Sequence, residues 1–147
     1  MRTEVSESVV VDVPMAKVWH HYDDLEAFRR WAPNVVDVKV IGETRRSLGA
    51  RMQFTLKFGP FHQKLDETIT RYEPPRASSL TGRAPGWTYE MALDLVEEPG
   101  GTRATYRCLS DYSRIMRPLV PLLDRMNRRM LGTALAALKS AVERERE

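Results

Sequence analysis

A chain of 147 residues, 42% hydrophobic and 29% charged, has the size and composition of one globular domain with a single core. No apolar run reaches the ~18 residues of a membrane span, MRTEVSES holds no apolar signal segment, and the lone Cys108 excludes an intrachain disulfide, so a cytoplasmic protein without stable membrane insertion is expected. The net charge of +3 favours anionic partners weakly and selects none; the excess of arginine over lysine reads as the mark of a GC-rich bacterial genome.

From Glu4 to Val13 the apolar residues Val5, Val9, Val11 and Val13 alternate with polar ones, a period of two that predicts a first strand. Pro14 then opens a short helix through His21, because its fixed φ suits a first turn and its missing N–H costs nothing there. Asp12 is a candidate cap for it. Asp23 or Asp24 can cap a second short helix ending near Trp31, ahead of Pro33. Val18, Trp19 and Tyr22, then Leu25, Phe28 and Trp31, give each helix one apolar face.

From Val35 the period returns to two. Val36, Val38 and Val40 form one stripe, and Met52, Phe54, Leu56 and Phe58 the next. After a turn at Gly59-Pro60 come Leu65, Glu67 and Ile69; Pro74-Pro75 punctuates, and a weaker strand runs from Ala77 to Thr81. Trp87, Tyr89, Met91, Leu93 and Leu95 make the longest stripe, and Pro99-Gly100-Gly101 turns it into Ala104, Tyr106, Cys108 and Ser110. Short connections imply antiparallel hairpins, and one apolar face per strand implies a sheet covered on one side.

The last stretch, Leu119 to Val142, repeats apolar residues in steps of three and four at Leu119, Leu122, Leu123, Met126, Met130, Ala134, Leu138 and Val142. Such a helix is roughly 35 Å long at ~1.5 Å per residue. Pro118 and Pro121 forbid an undisturbed helix from Ser113, so regular helix is expected only from about Pro121. Gly132, Ala134, Ala136 and Ala137 are small enough to lie close against the sheet, which leaves Leu119, Leu123, Met126 and Met130 to form a pocket wall. The order predicts an α+β domain spanning residues 1–147: about seven antiparallel strands, two short helices after the first, and one long helix. A sheet this extended curls, and one helix cannot fill its concave face, so a cavity is expected between them.

The opening VDVPMAKVWHHYDDLEAFRRWAPNVVDVKVIG, the RYEPP turn, the W-x-Y-x-M strand and the closing ALAALKSAVE resemble the START-type, or SRPBCC, superfamily of helix-grip proteins, which includes polyketide cyclase/dehydrase-like members. The resemblance runs along almost the whole chain and implies a sheet wrapped around the C-terminal helix, enclosing a pocket for a hydrophobic small molecule. A fold of this kind fixes where a ligand lies rather than what happens to it.

Glu67 shares a face with Leu65 and Ile69, and an inward carboxylate must be paired, hydrated or neutralised. It is therefore a candidate ligand anchor or acid/base group, or else the partner of an arginine. Trp87, Tyr89 and Tyr106 offer aromatic surface with hydroxyls, and Met52, Met91, Met126 and Met130 offer soft surface. With Phe54, and with Trp31 at the pocket mouth, these complete the candidate ligand-binding set; any one of them could equally be core. Arg51, Arg103 and Arg107 fall on polar faces. Adjacent His20 and His21 cannot chelate one metal, His62 lies on a polar face, and neither a nucleophile elbow nor a phosphate loop is present, so no metal or cofactor is expected. Arg114, Arg117, Arg125, Arg128 and Arg129 make the start of the long helix basic, which fits a solvated face or contact with an anionic lipid surface or RNA; no nucleic-acid partner is expected. The leading reading is binding or carriage of a lipid or polyketide-like aromatic by a monomer or homodimer. The alternatives are an aromatase/cyclase whose catalytic residues the sequence does not identify, and a stress-related module acting on a macromolecule.

Overall fold

Every period-two stretch becomes a strand in the computed structural model, which describes residues 2–33, 35–41, 47–58 and 60–145. The elements are β1 (Arg2–Val11), α1 (Met15–Asp23), α2 (Leu25–Trp31), β2 (Val35–Ile41), β3 (Arg51–Phe58), β4 (Phe61–Glu73), β5 (Ala77–Ala84), β6 (Trp87–Glu98), β7 (Gly101–Tyr112), a 3-10 turn (Arg114–Leu119) and α3 (Val120–Glu145). The sheet order is β1-β7-β6-β5-β4-β3-β2, with all neighbours antiparallel. β2 to β7 are thus a run of hairpins, and α1 with α2 carries the chain from one edge of the sheet to the other. This is the helix-grip arrangement that the resemblance implies.

Local chemistry sets the boundaries. Asp24 caps α2, its Oδ1 accepting from the Glu26 and Ala27 amides at 2.9 and 3.2 Å. Asp12 does not cap α1; Pro14 holds the N-cap position, and the Asp12 amide donates to Glu143 instead. Gly100, at φ +87°, makes the tight β6–β7 turn after Pro99, a backbone state that favours glycine. In the turn at Gly59-Pro60, Gly59 lies outside the described residues. A register shift between Val35 and Asp37 turns Val36 outward, whereas strict alternation predicted it inward.

The C-terminal helix starts as the prolines require: 3-10 geometry through Leu119, with Pro118 inside it, and regular helix from Val120. It runs alongside β1 in the same direction. Thr3 donates to Asp124 (2.6 Å), Arg128 faces Glu7 (3.9 Å), Lys139 donates to the Val10 carbonyl (2.7 Å), and Glu143 accepts from the Asp12 amide. The match is geometric, since nine strand steps of ~3.3 Å and nineteen helical steps of ~1.5 Å both cover roughly 30 Å. The buried line is Val120, Asn127, Leu131, Leu135, Leu138 and Val142. It corrects the predicted stripe for the upper half of the helix, where Leu119 and Met126 lie about a third of a turn away from it at ~100° per residue. Asn127, a polar residue, is on the buried line: it donates its Nδ2 to the Tyr112 hydroxyl at 2.8 Å. Of the small residues in the lower half, Ala134 and Ala137 pack against the core as expected, whereas Gly132 faces open space and Ala136 is exposed.

Candidate functional site

The curl of the sheet gathers Val5, Met52, Phe54, Leu65, Ile69, Leu80, Leu93, Tyr106 and Cys108 into one core. Glu67 enters this face between Leu65 and Ile69 and is only 7% exposed. Its neighbours across the sheet are Met52 on β3 and Gly82 on β5, and Gly82 in turn faces Tyr89 on β6. Glu67 and Tyr89 are therefore two strand spacings apart, roughly 10 Å at ~4.8 Å each. Tyr89 closes that gap by lying across Gly82 and donating its hydroxyl to Glu67 Oε2. A Cβ at Gly82 would overlap the end of the Tyr89 ring, so the missing side chain is what permits the pair.

The polar chemistry continues along the same end of the sheet. The Tyr89 ring lies 4.5 Å from that of Trp87, and Trp87 stacks on Tyr112 at 6.1 Å and 12°. Tyr112 accepts from Asn127 on α3, and the Ser113 amide donates to the Gly86 carbonyl, which ties the 3-10 turn to the β5–β6 turn. Glu67, Tyr89, Trp87, Tyr112 and Asn127 thus form a continuous path from the middle of the sheet to the long helix. Along it the Trp87 indole Nε1 is buried and has no hydrogen-bond partner among the described residues. A buried, unmade donor of this kind costs about 1–3 kcal/mol.

Burial, and then the nearby Glu67 charge, raises the Tyr89 pKa far above its ordinary value of 10.0, so the phenol remains a hydrogen-bond donor throughout the physiological range. Burial likewise raises Cys108 and Tyr112. Cys108 is consequently a thiol, with its Sγ 3.5 Å from the Ser110 hydroxyl, and lacks the thiolate character of a nucleophile. The site can therefore accept hydrogen bonds through Glu67 and donate them through Trp87, beside aromatic surface. Among the described residues no group of three His, Cys, Asp or Glu side chains could hold a metal ion.

The candidate residues read from sequence divide into three groups. Met52, Phe54, Glu67, Tyr89 and Tyr106 are buried on the concave face, where Trp87 and Met91 are half-buried against the core; Leu123 and Met130 are half-buried on the long helix, outside that packed set. Trp31 is not at a mouth: it is buried against Phe28, and its indole N–H is spent on the His21 carbonyl at 2.8 Å, which locks α2 to α1. Leu119 and Met126 stand 52% and 51% exposed on the outer side of the helix start, so neither walls an interior. Gly82, Tyr112 and Asn127 belong to the site and were missed. Tyr112 simply continues the alternation of Tyr106, Cys108 and Ser110, and Asn127 interrupts an otherwise aliphatic line at steps of three and four. Gly82 carried no signal until its neighbours were known.

A hollow of about 450 Å³ is lined largely by outward-facing residues, Arg51, Asp66, Arg83, Glu90 and Asp111 among them, and also touches Gly82, Tyr89 and Ser110. Its mixed charges suit water and ions rather than an apolar molecule.

Residues 2–143 match the family described as polyketide cyclase / dehydrase and lipid transport. No curated protein matches this sequence. Among solved structures, TTHA0849 from Thermus thermophilus is 16% identical, with a TM-score of 0.81 over 99% of this chain and 100% of its own. The di-domain ARO/CYC StfQ from the steffimycin biosynthetic pathway is 9% identical, with a TM-score of 0.85 over 99% of this chain and 52% of its own. Ara h 8.0201 is 11% identical, with a TM-score of 0.74 over 98% and 99% of the two chains. At these identities the structures show the shared fold alone. The family match spans nearly the whole sequence: this chain belongs to the polyketide cyclase/dehydrase and lipid transport family of the START-type superfamily.

Proposed function

We propose that this protein binds an apolar, oxygen-bearing small molecule on the concave face of its sheet, with a polyketide-like aromatic fitting better than a plain acyl chain. The carrying observation is the buried indole N–H of Trp87, which has no hydrogen-bond partner among the described residues, beside the Glu67–Tyr89 pair. A ligand keto or hydroxyl oxygen would satisfy the indole donor, and a ligand hydroxyl could donate to Glu67. A flat ring would lie against the Trp87–Tyr89–Tyr112 aromatic surface, and an acyl chain uses none of these groups. The half-buried Met91, packed against the core beside Tyr89, is a flexible side chain that can move to admit it. Family membership supports a hydrophobic ligand at the coarser level.

A second reading, an aromatase/cyclase, is favoured by the same pair, because a buried carboxylate hydrogen-bonded to a neutral phenol can assist proton transfer in a folded, reactive chain. The ARO/CYC description of StfQ is in keeping with it. Titration calorimetry with a dihydroxyanthraquinone and, separately, with palmitate tests the binding reading. The anthraquinone should bind the more tightly, and Trp87→Phe, which keeps a ring and removes the N–H, should weaken it about fivefold or more, the worth of one hydrogen bond. Equal or tighter binding of palmitate, unaffected by Trp87→Phe, would overturn the assignment.

A further inference from the structure

The start of the C-terminal helix carries a second surface that the concave site does not use. Ile115, Leu119, Leu122 and Met126 follow one another at steps of four, three and four and are 90%, 52%, 53% and 51% exposed. Leu119, Leu122 and Met126 share one side of the helix start, and Ile115 stands on the 3-10 turn just ahead of them; large aliphatic side chains this exposed and this close together are a recognition feature rather than scattered surface apolarity. Arg125 and Arg129 follow Leu122 and Met126 by three residues and so occupy the adjoining flank of the helix; Arg114 and Arg117 are exposed on the 3-10 turn. Arg128 is directed to Glu7 on β1. Between residues 114 and 130 there are five arginines against the single Asp124, which is itself engaged by Thr3. That surplus of four exceeds the net charge of +3 of the entire chain, so the protein's positive charge is concentrated here.

We propose that this stripe docks the protein on an anionic lipid bilayer, lying in the interface with Ile115, Leu119, Leu122 and Met126 among the acyl chains and the flanking arginines at the headgroups. An exposed apolar face with arginines along its flank is the composition that binds membrane surfaces without spanning them. RNA fits less well, because the stripe offers no aromatic ring on which a base could stack. A two-fold dimer through the same face would bring two arginine-rich flanks together. Among the described residues no helix is long and apolar enough to cross a membrane, and the contact proposed is a peripheral one. The inference is independent of the identity of the concave-face ligand.

Co-sedimentation of the full chain with vesicles of phosphatidylcholine alone, and of phosphatidylcholine mixed with phosphatidylglycerol, tests it. The account predicts binding to the mixed vesicles at low salt, much weaker binding to the neutral ones, and loss on raising salt. Each exposed arginine near an anionic surface is worth about fivefold in partitioning, so Arg125→Glu combined with Arg129→Glu should lower binding by more than tenfold. Ile115→Ser combined with Leu122→Ser should also lower it, while circular dichroism melts show both double variants folded, as exposed positions allow. The proposal fails if mixed vesicles are not bound, if neither variant changes the binding, if homopolymeric RNA is bound and vesicles are not, or if sedimentation velocity shows a dimer that buries the stripe.

Discussion

The two ends of the concave face are built from different chemistry. At the end beside Val11, Leu95 and Ala104, the helix inserts Leu135, Leu138 and Val142, all at most a few per cent exposed. There the interior is aliphatic and closed. At the other end stand Glu67, Tyr89, Trp87, Tyr112 and Asn127, joined by hydrogen bonds and ring contacts, with Trp87 half-buried and its N–H unpartnered among the described residues. At the first end the fully buried Thr102 hydroxyl is satisfied within the fold, donating to the Val13 carbonyl at 2.8 Å, and stability comes mainly from area removed from water. The second holds a desolvated carboxylate whose burial is tolerable only through its partners. That contrast sets the part of the face devoted to packing apart from the part proposed to serve a ligand.

The contrast can be broken from either side. Leu138→Ala at the aliphatic end should cost about 3 kcal/mol, because the cavity left behind cannot collapse under a helix held at both ends. A denaturant midpoint checks the loss; ligand affinity of the folded fraction should hardly change. Gly82→Ala should cost about 2 kcal/mol by forcing Tyr89 off Glu67, a small-to-large change in a filled space. Unlike Leu138→Ala, it should also alter ligand binding, and a stable Gly82→Ala protein with unaltered binding would show that the pair is incidental. Tyr89→Phe should cost about 1.5 kcal/mol at neutral pH, the net worth of a hydrogen bond to a charged group. It should also change the alkaline limb of stability. The native Tyr89 pKa lies above the ordinary value of 10.0, so above about pH 10 the unfolded chain releases a proton that the native state keeps. Stability is therefore complete below that pH and falls as pH rises through it. Tyr89→Phe should flatten the fall without abolishing it, since Cys108 and Tyr112 are raised in the same direction.

The strands and their faces were legible in the sequence because alternation is a local signal and each stripe found its partner through a short turn. The inward direction of Glu67 follows from Leu65 and Ile69 alone. The failures have a common cause. Helix periodicity leaves the rotation of a helix open when both flanks carry apolar residues, and the upper half of α3 has Leu122 and Met126 on one side, with Leu119 just ahead of them, and Val120 on the other. The choice was made by a contact distant in sequence, Asn127 to Tyr112. Trp31 was misplaced for the same kind of reason: its N–H partner is the carbonyl of His21, ten residues back. Gly82 is the extreme case, since its role exists only once β4, β5 and β6 are in register.

The most direct test of the account is the affinity of the dihydroxyanthraquinone for Glu67→Gln beside that for Leu138→Ala, measured by calorimetry under conditions where both proteins are folded. If the polar end is the binding end, Glu67→Gln should shift affinity about fivefold or more, the scale of a hydrogen bond to a charged group, and Leu138→Ala should leave it within about twofold, as distant sites do. Equal effects from the two variants, or an effect confined to Leu138→Ala, would contradict the division of the concave face on which the account rests.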